Sequence, residues 1–116
     1  RRIEELMATA VILNTNQMGH GDRELGLKIL ATCLRKLVSI PDLRSIVLYN
    51  SGVHLATTDS PVAVELRQLR ENGVDILPCG TCADYYKLTD RLITRRPSNM
   101  DEIVAALRDA DKVITL

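Results

Sequence analysis

Apolar residues recur along this chain in two rhythms, and the change from one to the other marks its elements. Thr9 to Asn14 (TAVILN) is a short, β-branched apolar run closed by a polar loop containing glycine, and it predicts a buried strand. Asp22 is a good N-cap for the next segment. Leu27, Leu30, Cys33, Leu34 and Leu37 then fall at helical spacing, and Ile40-Pro41-Asp42 ends the helix, because a residue before proline is pushed out of the α region. Ser45 to Tyr49 (SIVLY) predicts a second buried strand, followed by the turn Asn50-Ser51-Gly52. Ser60-Pro61 is a helix start, with a capping hydroxyl and proline at the first helical position. Val62, Leu66 and Leu69 line one face, and Asn72-Gly73 supplies a left-handed stop. Val74 to Leu77 is a third strand running into Pro78 and the loop Cys79-Gly80-Thr81-Cys82. The pattern next predicts a short helix from about Ala83 to Leu92 and a break at Arg95-Arg96-Pro97. A helix carrying Met100, Ile103, Val104 and Leu107 comes after it, with Asn99 and Glu102 as its capping pair, and the last strand is Lys112 to Leu116.

The resulting order is β-α-β-α-β-α-α-β. Strands that are apolar on both faces and alternate with helices define an α/β fold whose mostly parallel sheet is covered on both sides, a three-layer sandwich. No internal repeat, low-complexity tract or linker divides the chain, so residues 1–116 are expected to form a single domain, a normal length for one core.

Composition narrows the function classes. Phe and Trp are absent, so the core must be built from Leu, Ile, Val and Ala, and the ring platform of a single-strand nucleic-acid binder is missing. Fifteen basic and fifteen acidic residues give zero net charge, without the cationic excess that neutralises phosphates, so no nucleic-acid partner is expected. Zero net charge also removes the repulsion that keeps copies apart, which fits self-association. The apolar runs are too short to span a bilayer, so no membrane partner is expected. Arg1 to Leu6 carries acids and no apolar signal core, and three Cys is an odd number, so reduced thiols and a cytoplasmic location are the expectation.

Ligand sites of open parallel sheets lie outside the carboxyl ends of the strands. That rule gathers three loops, Asn14–Asp22, Asn50–Thr57 and Cys79–Cys82. Between them they hold both His, four of the six Gly and two of the three Cys. A cysteine nucleophile must be a thiolate, and Cys82 at a helix start would have backbone N–H groups and the positive dipole end at its sulfur, lowering its pKa. Cys79 is near enough to serve as a second thiol, and Gly80 lets the backbone turn tightly. Cys33 lies on the apolar helix stripe and reads as packing. His20 and His54 are loop residues that either face solvent or exchange protons near neutral pH. Cys79, Cys82, His20 and His54 have the chemistry of zinc ligands, but they come from three loops and lack paired spacing, so no metal and no cofactor are expected. The nucleotide reading of Gly19-His20-Gly21 fails, because Glu24 stands where the fingerprint needs a third Gly and Asn50 where it needs an acid. Gly26 reads as a point of close helix–strand packing. Tyr85 and Tyr86 either rim a pocket or pack in the core, and Arg95 and Arg96 read as a solvated turn.

Several segments taken in order carry a resemblance. They are Gly19-His20-Gly21-Asp22 with Glu24-Leu25-Gly26, Tyr49-Asn50-Ser51-Gly52-Val53, Gly73-Val74-Asp75-Ile76-Leu77, Cys79 to Tyr86 (CGTCADYY), and Asn99-Met100. From about Ala8 to Leu116 the chain resembles the DsrE/DsrF-like sulfur-relay domains, most of all the DsrE-like carboxyl-terminal domain of YedF-type selenium-metabolism proteins. The resemblance implies a parallel α/β sandwich, assembly into homo-oligomers such as trimers or hexamers, and a cysteine that carries sulfur as a persulfide. Cys82 matches the relay cysteine and Cys79 the extra cysteine of a CGTC-bearing subset. YedF-type proteins also carry an amino-terminal SirA/TusA-like domain with its own cysteine, and these 116 residues hold no counterpart of it.

Three readings result. In the leading one the chain is a sulfurtransferase-like carrier. Cys82 and Cys79 hold the cargo, sulfane sulfur or selenium; Gly80, Thr81, His20, Asn50 and Gly52 shape the binding loops; and sulfur donor and acceptor proteins or small thiols are the partners. The others are a non-catalytic oligomeric binding module and a C-x-x-C dithiol redox protein.

Overall fold

The computed structural model describes residues 7–116, so the reading of Arg1 to Leu6 lies outside the described residues. Four strands form one all-parallel sheet in the order β3-β2-β1-β4: β1 Thr9–Leu13, β2 Leu43–Leu48, β3 Asp75–Pro78 and β4 Lys112–Thr115. β1 and β2 occupy the middle and are the most apolar, with Ala10, Val11, Ile46, Val47 and Leu48 fully buried. A strand buried on both faces can show no alternation, which is why these two read as continuous apolar runs.

Helix α1, Arg23–Leu37, buries Leu30, Leu34 and Leu37, and its Asp22 cap accepts the Leu25 N–H at 3.0 Å. Glu24 in its first turn and Arg35 and Lys36 in its last complement the helix dipole. Helix α2, Ala63–Glu71, buries Leu66 and Leu69 and packs beside α1, where Arg35 and Glu65 pair at 3.1 Å. Its start lies two residues beyond the Ser60-Pro61 signal. Ser60 Oγ instead accepts the Val62 N–H at 3.1 Å, a local turn that comes before the helix proper. Its end is a full Schellman motif: Val74 N–H bonds Leu69 O, Gly73 N–H bonds Arg70 O, and Gly73 takes φ +97°.

Both β1–β2 and β2–β3 step outward in the same direction, so right-handed crossovers put α1 and α2 on one face. The return from β3 across the sheet to β4 places helix α4, Met100–Asp109, on the other face, where it buries Ile103. Asn99 Oδ1 accepts the Glu102 N–H at 2.8 Å, the expected cap. The result is the expected α/β three-layer arrangement, with its core in the central strands and the inner faces of the helices.

Gly26 departs from expectation. A Cβ there would lie 3.0 Å from Gln17 and from the Met18 carbonyl, so the glycine lets α1 press on the loop after β1 rather than on a strand.

Candidate functional site

The segments after β2 and β3 differ most from the sequence reading, and they build the site. Asn50–Ala56 is a 3₁₀ helix rather than an open loop. It is pressed onto the end of β1, because Gly52 leaves no room above the Leu13 carbonyl: a Cβ would sit 2.1 Å from that oxygen. After β3 the chain enters helix α3 at Gly80, not Ala83, and α3 ends at Tyr85. Its stop is a second Schellman motif, with Leu88 N–H on Ala83 O and Lys87 N–H on Asp84 O, and Lys87 takes φ +60°. A short 3₁₀ turn, Thr89–Arg91, replaces the expected remainder of the helix. Gly80 is held against the 97–98 segment: its N–H bonds Ser98 O at 2.9 Å, and a Cβ would lie 2.7 Å from that oxygen.

These elements set both cysteines, which are free thiols. Cys79 is the residue before α3 and is 2% exposed. Cys82 is the third residue of α3 and half-buried. The N–H on the Cys82 sulfur comes from Asn50 at 3.1 Å, donated across from the 3₁₀ segment rather than from α3 itself. Tyr86 Oη donates to Asn50 Oδ1 at 3.2 Å. The His54 and Tyr86 rings lie 4.5 Å apart at 56°, and Tyr85 meets Tyr86 edge-on at 5.3 Å.

The electrostatics correct one expectation. Burial pushes the Cys82 thiol above its ordinary value, and the Cys79 sulfur pushes the same way, while the Asn50 N–H pulls it down. The balance is upward. The donor on the sulfur comes from the neighbouring 3₁₀ segment, not from the six-residue helix that begins beneath it. Cys33 is also raised by burial, in keeping with packing on α1.

Cys79, Cys82, Asn50 and His54 thus come together, with Tyr86 joining them. Gly52 and Gly80 shape the chain, and their own N–H groups are bonded to Tyr49 O and Ser98 O. Thr81 is exposed at the start of α3. His20 sits exposed on the Asn14–Asp22 loop without a hydrogen bond among the described residues. Among the described residues, no three His, Cys, Asp or Glu side chains group as a metal site requires, and no helix is long and apolar enough to cross a membrane. Nothing in the sequence marks Tyr86 as a partner of Asn50 beyond the tyrosine pair directly after the cysteines. A cavity of about 520 Å³ lies elsewhere. It runs along the outer edge of β3, lined by Arg70, Asp75, Ile76, Arg96, Ser98 and Glu102.

A parallel four-stranded sandwich with a thiol pair where its third strand meets a helix defines a class of small α/β domains. The DsrE/DsrF-like family model matches residues 7–116, and the chain belongs to that family. Among solved structures it is similar to the YchN protein of E. coli, at TM-score 0.71 and 19% identity, covering 95% of this chain and 99% of that one. It is similar as well to MTH1491 of Methanobacterium thermoautotrophicum, a protein of unknown function, at TM-score 0.69 and 19% identity over 95% and 99% of the two chains. BT1422 of Bacteroides thetaiotaomicron, also of unknown function, matches at TM-score 0.64 and 18% identity over 93% and 94%. At these identities the likeness speaks for the fold. No curated protein matches.

Proposed function

We propose that the chain is a sulfur-relay carrier in which Cys82 holds a sulfane sulfur as a persulfide. The Cys82 thiolate attacks the outer sulfur of a donor persulfide. The donor S–S bond breaks, a new S–S bond forms on Cys82, the donor leaves as its thiolate, and the Cys82 proton passes to solvent or to the leaving thiolate. An acceptor thiolate then repeats the exchange in reverse, with no net oxidation. The observation that carries this reading is the Asn50 N–H on the sulfur at 3.1 Å. A fixed donor at that atom favours the anionic forms, thiolate and persulfide, that both steps need. Family membership supports the same role.

The upward direction of the Cys82 shift is compatible with exchange, because a thiol of higher pKa is intrinsically the better nucleophile once ionised. Thr81 at the exposed start of α3, and Gly52 and Gly80 through their close packing, shape the ground around the sulfur, and His20 belongs to the third loop at the same edge of the sheet. The partners are donor and acceptor proteins or small thiols, and a homo-oligomer is the working assembly. The YedF-type likeness of the CGTC loop makes selenium a second cargo.

Incubation with a persulfide donor followed by intact-mass spectrometry tests the reading. Wild type should gain one sulfur atom and Cys82→Ser none; no gain on wild type ends the proposal. The two free thiols at the start of α3 favour one second reading, a dithiol that closes Cys79 to Cys82. That reaction appears in the same spectrum as a loss of two hydrogens on treatment with a mild disulfide oxidant.

A further inference from the structure

Asn50 stands where β2 gives way to the 3₁₀ segment, at φ +53°. Side chains other than glycine are strained there, and asparagine escapes part of the strain when its own side chain bonds to nearby backbone. Here Asn50 Oδ1 does something else: it accepts the Tyr86 hydroxyl at 3.2 Å. The backbone N–H of the same residue reaches the Cys82 sulfur at 3.1 Å. Tyr86 is itself fixed from three sides. Its N–H bonds Cys82 O at 3.1 Å, and its ring rests on His54 and meets the edge of Tyr85. His54 belongs to the 3₁₀ segment that Asn50 opens, so the contacts form a closed circuit from Asn50 through Tyr86 and His54 back to the same turn.

We propose that Tyr86 is a positioning residue for Cys82, braced by His54: the Tyr86 hydroxyl holds the Asn50 side chain, and thereby keeps Asn50 in the left-handed conformation that aims its N–H at the sulfur. The purpose of this arrangement rests on the reading of Cys82 as the sulfur-carrying thiol, but the geometry is independent of it. A tyrosine that only packed would need its ring and not its hydroxyl, and the hydroxyl is the part that touches Asn50. Of the ionisable groups, Cys79 acts on the sulfur directly; Asp84, Tyr85 and Tyr86 follow it in the chain, and His54 belongs to the 3₁₀ segment whose first residue donates to it. Among the described residues no lysine or arginine donates to it.

The test is the pH profile of Cys82 alkylation by iodoacetamide, with the labelled site read by peptide mass mapping. Tyr86→Phe keeps the ring and removes the hydroxyl. Its profile should move to higher pH, with alkylation on the rising limb roughly three- to tenfold slower, the effect of weakening one N–H bond to a charged sulfur. Asn50→Ala keeps the N–H but removes Oδ1 and should give a similar shift, and the double variant should add little to either. Superimposable profiles for Tyr86→Phe and wild type would overturn the proposal, as would two shifts that add in full. If Tyr86→Phe does not fold, Asn50→Ala and His54→Ala carry the test, the latter with a smaller shift in the same direction; unchanged profiles in both refute it. Sulfur loading followed by mass is a separate readout. Loading that fails in wild type while the alkylation shifts persist sinks the carrier and spares the positioning role. Loading that succeeds while the profiles coincide does the reverse.

Discussion

Gly52→Ala is the sharpest test of how the 3₁₀ segment is seated. The added methyl would lie 2.1 Å from the Leu13 carbonyl oxygen and 2.8 Å from its carbon. Neither atom can retreat freely. Leu13 O accepts the Tyr49 N–H at 3.2 Å, and Leu13 is paired with Leu48 across the sheet. The segment must therefore lift, opening contacts made by Val53 and Leu55, which are essentially fully buried. Forcing a methyl into a site this tight costs about 2–3 kcal/mol. That is a sizeable part of the ~5–15 kcal/mol by which such domains are stable. At ~4–5 °C per kcal/mol for a chain of this length, the melting temperature should fall by about 8–15 °C. Gly21→Ala is the matched control, because no atom lies within 4 Å of its would-be Cβ, and it should shift stability by less than about 0.5 kcal/mol. Thermal unfolding followed by circular dichroism measures both. A Gly52→Ala protein that melts within about 2 °C of wild type would refute the packing argument, since that is the change expected of a neutral site.

Two further outcomes rest on the ionisable groups. Cys82 has its folded value raised, so its neutral thiol form is the one that stabilises the fold; that contribution is complete below the ordinary thiol range and is lost as pH climbs through the raised value. Its alkylation rate should accordingly keep rising at pH values where a free-cysteine peptide has already levelled off, and a plateau reached earlier than the peptide's would contradict the burial argument. Glu102 is the opposite case. Its carboxylate accepts from Ser98 at 2.7 Å and faces Arg96 at 3.5 Å, and the Ser98 bond foremost holds its pKa below the ordinary glutamate value. The stability it adds is present above that ordinary value and lost as pH falls through the lowered one. Melting curves across acid pH should show wild type losing stability more steeply than Glu102→Gln, and parallel curves would argue against the contact.

The parts of this fold that could be read from sequence are those with a residue-specific signature. Asp22 and Asn99 cap helices because a short side-chain oxygen reaches the N–H groups three residues on, and the structure forms both bonds. Gly73 announces its Schellman stop because glycine enters the left-handed region freely. The stop of α3 uses the same geometry with Lys87, and lysine carries no such signal, so the helix reads as longer than it is. Its driving force is tertiary: Leu88 and Ala83 are buried together, and that burial outweighs the strain at Lys87. The site is legible as a place, the carboxyl edge with its cysteines, but not as a circuit. The donor to Cys82 is a backbone group 32 residues away in the chain, and backbone groups leave no mark in a sequence. The sign of the thiol's shift is illegible for the same reason, because desolvation depends on neighbours that only the fold assembles.

One of the two edge strands of the sheet is protected against pairing with another chain. β3 ends in Pro78, which has no N–H to offer, and the backbone groups at that end are already taken by Ser98. Earlier in the strand, Arg70, Asp75 and Arg96 fringe the open edge with charge. A row so short, guarded and interrupted resists annealing to a neighbouring molecule's sheet. A joining of sheets between copies would therefore run along β4, the other edge strand, and not along β3.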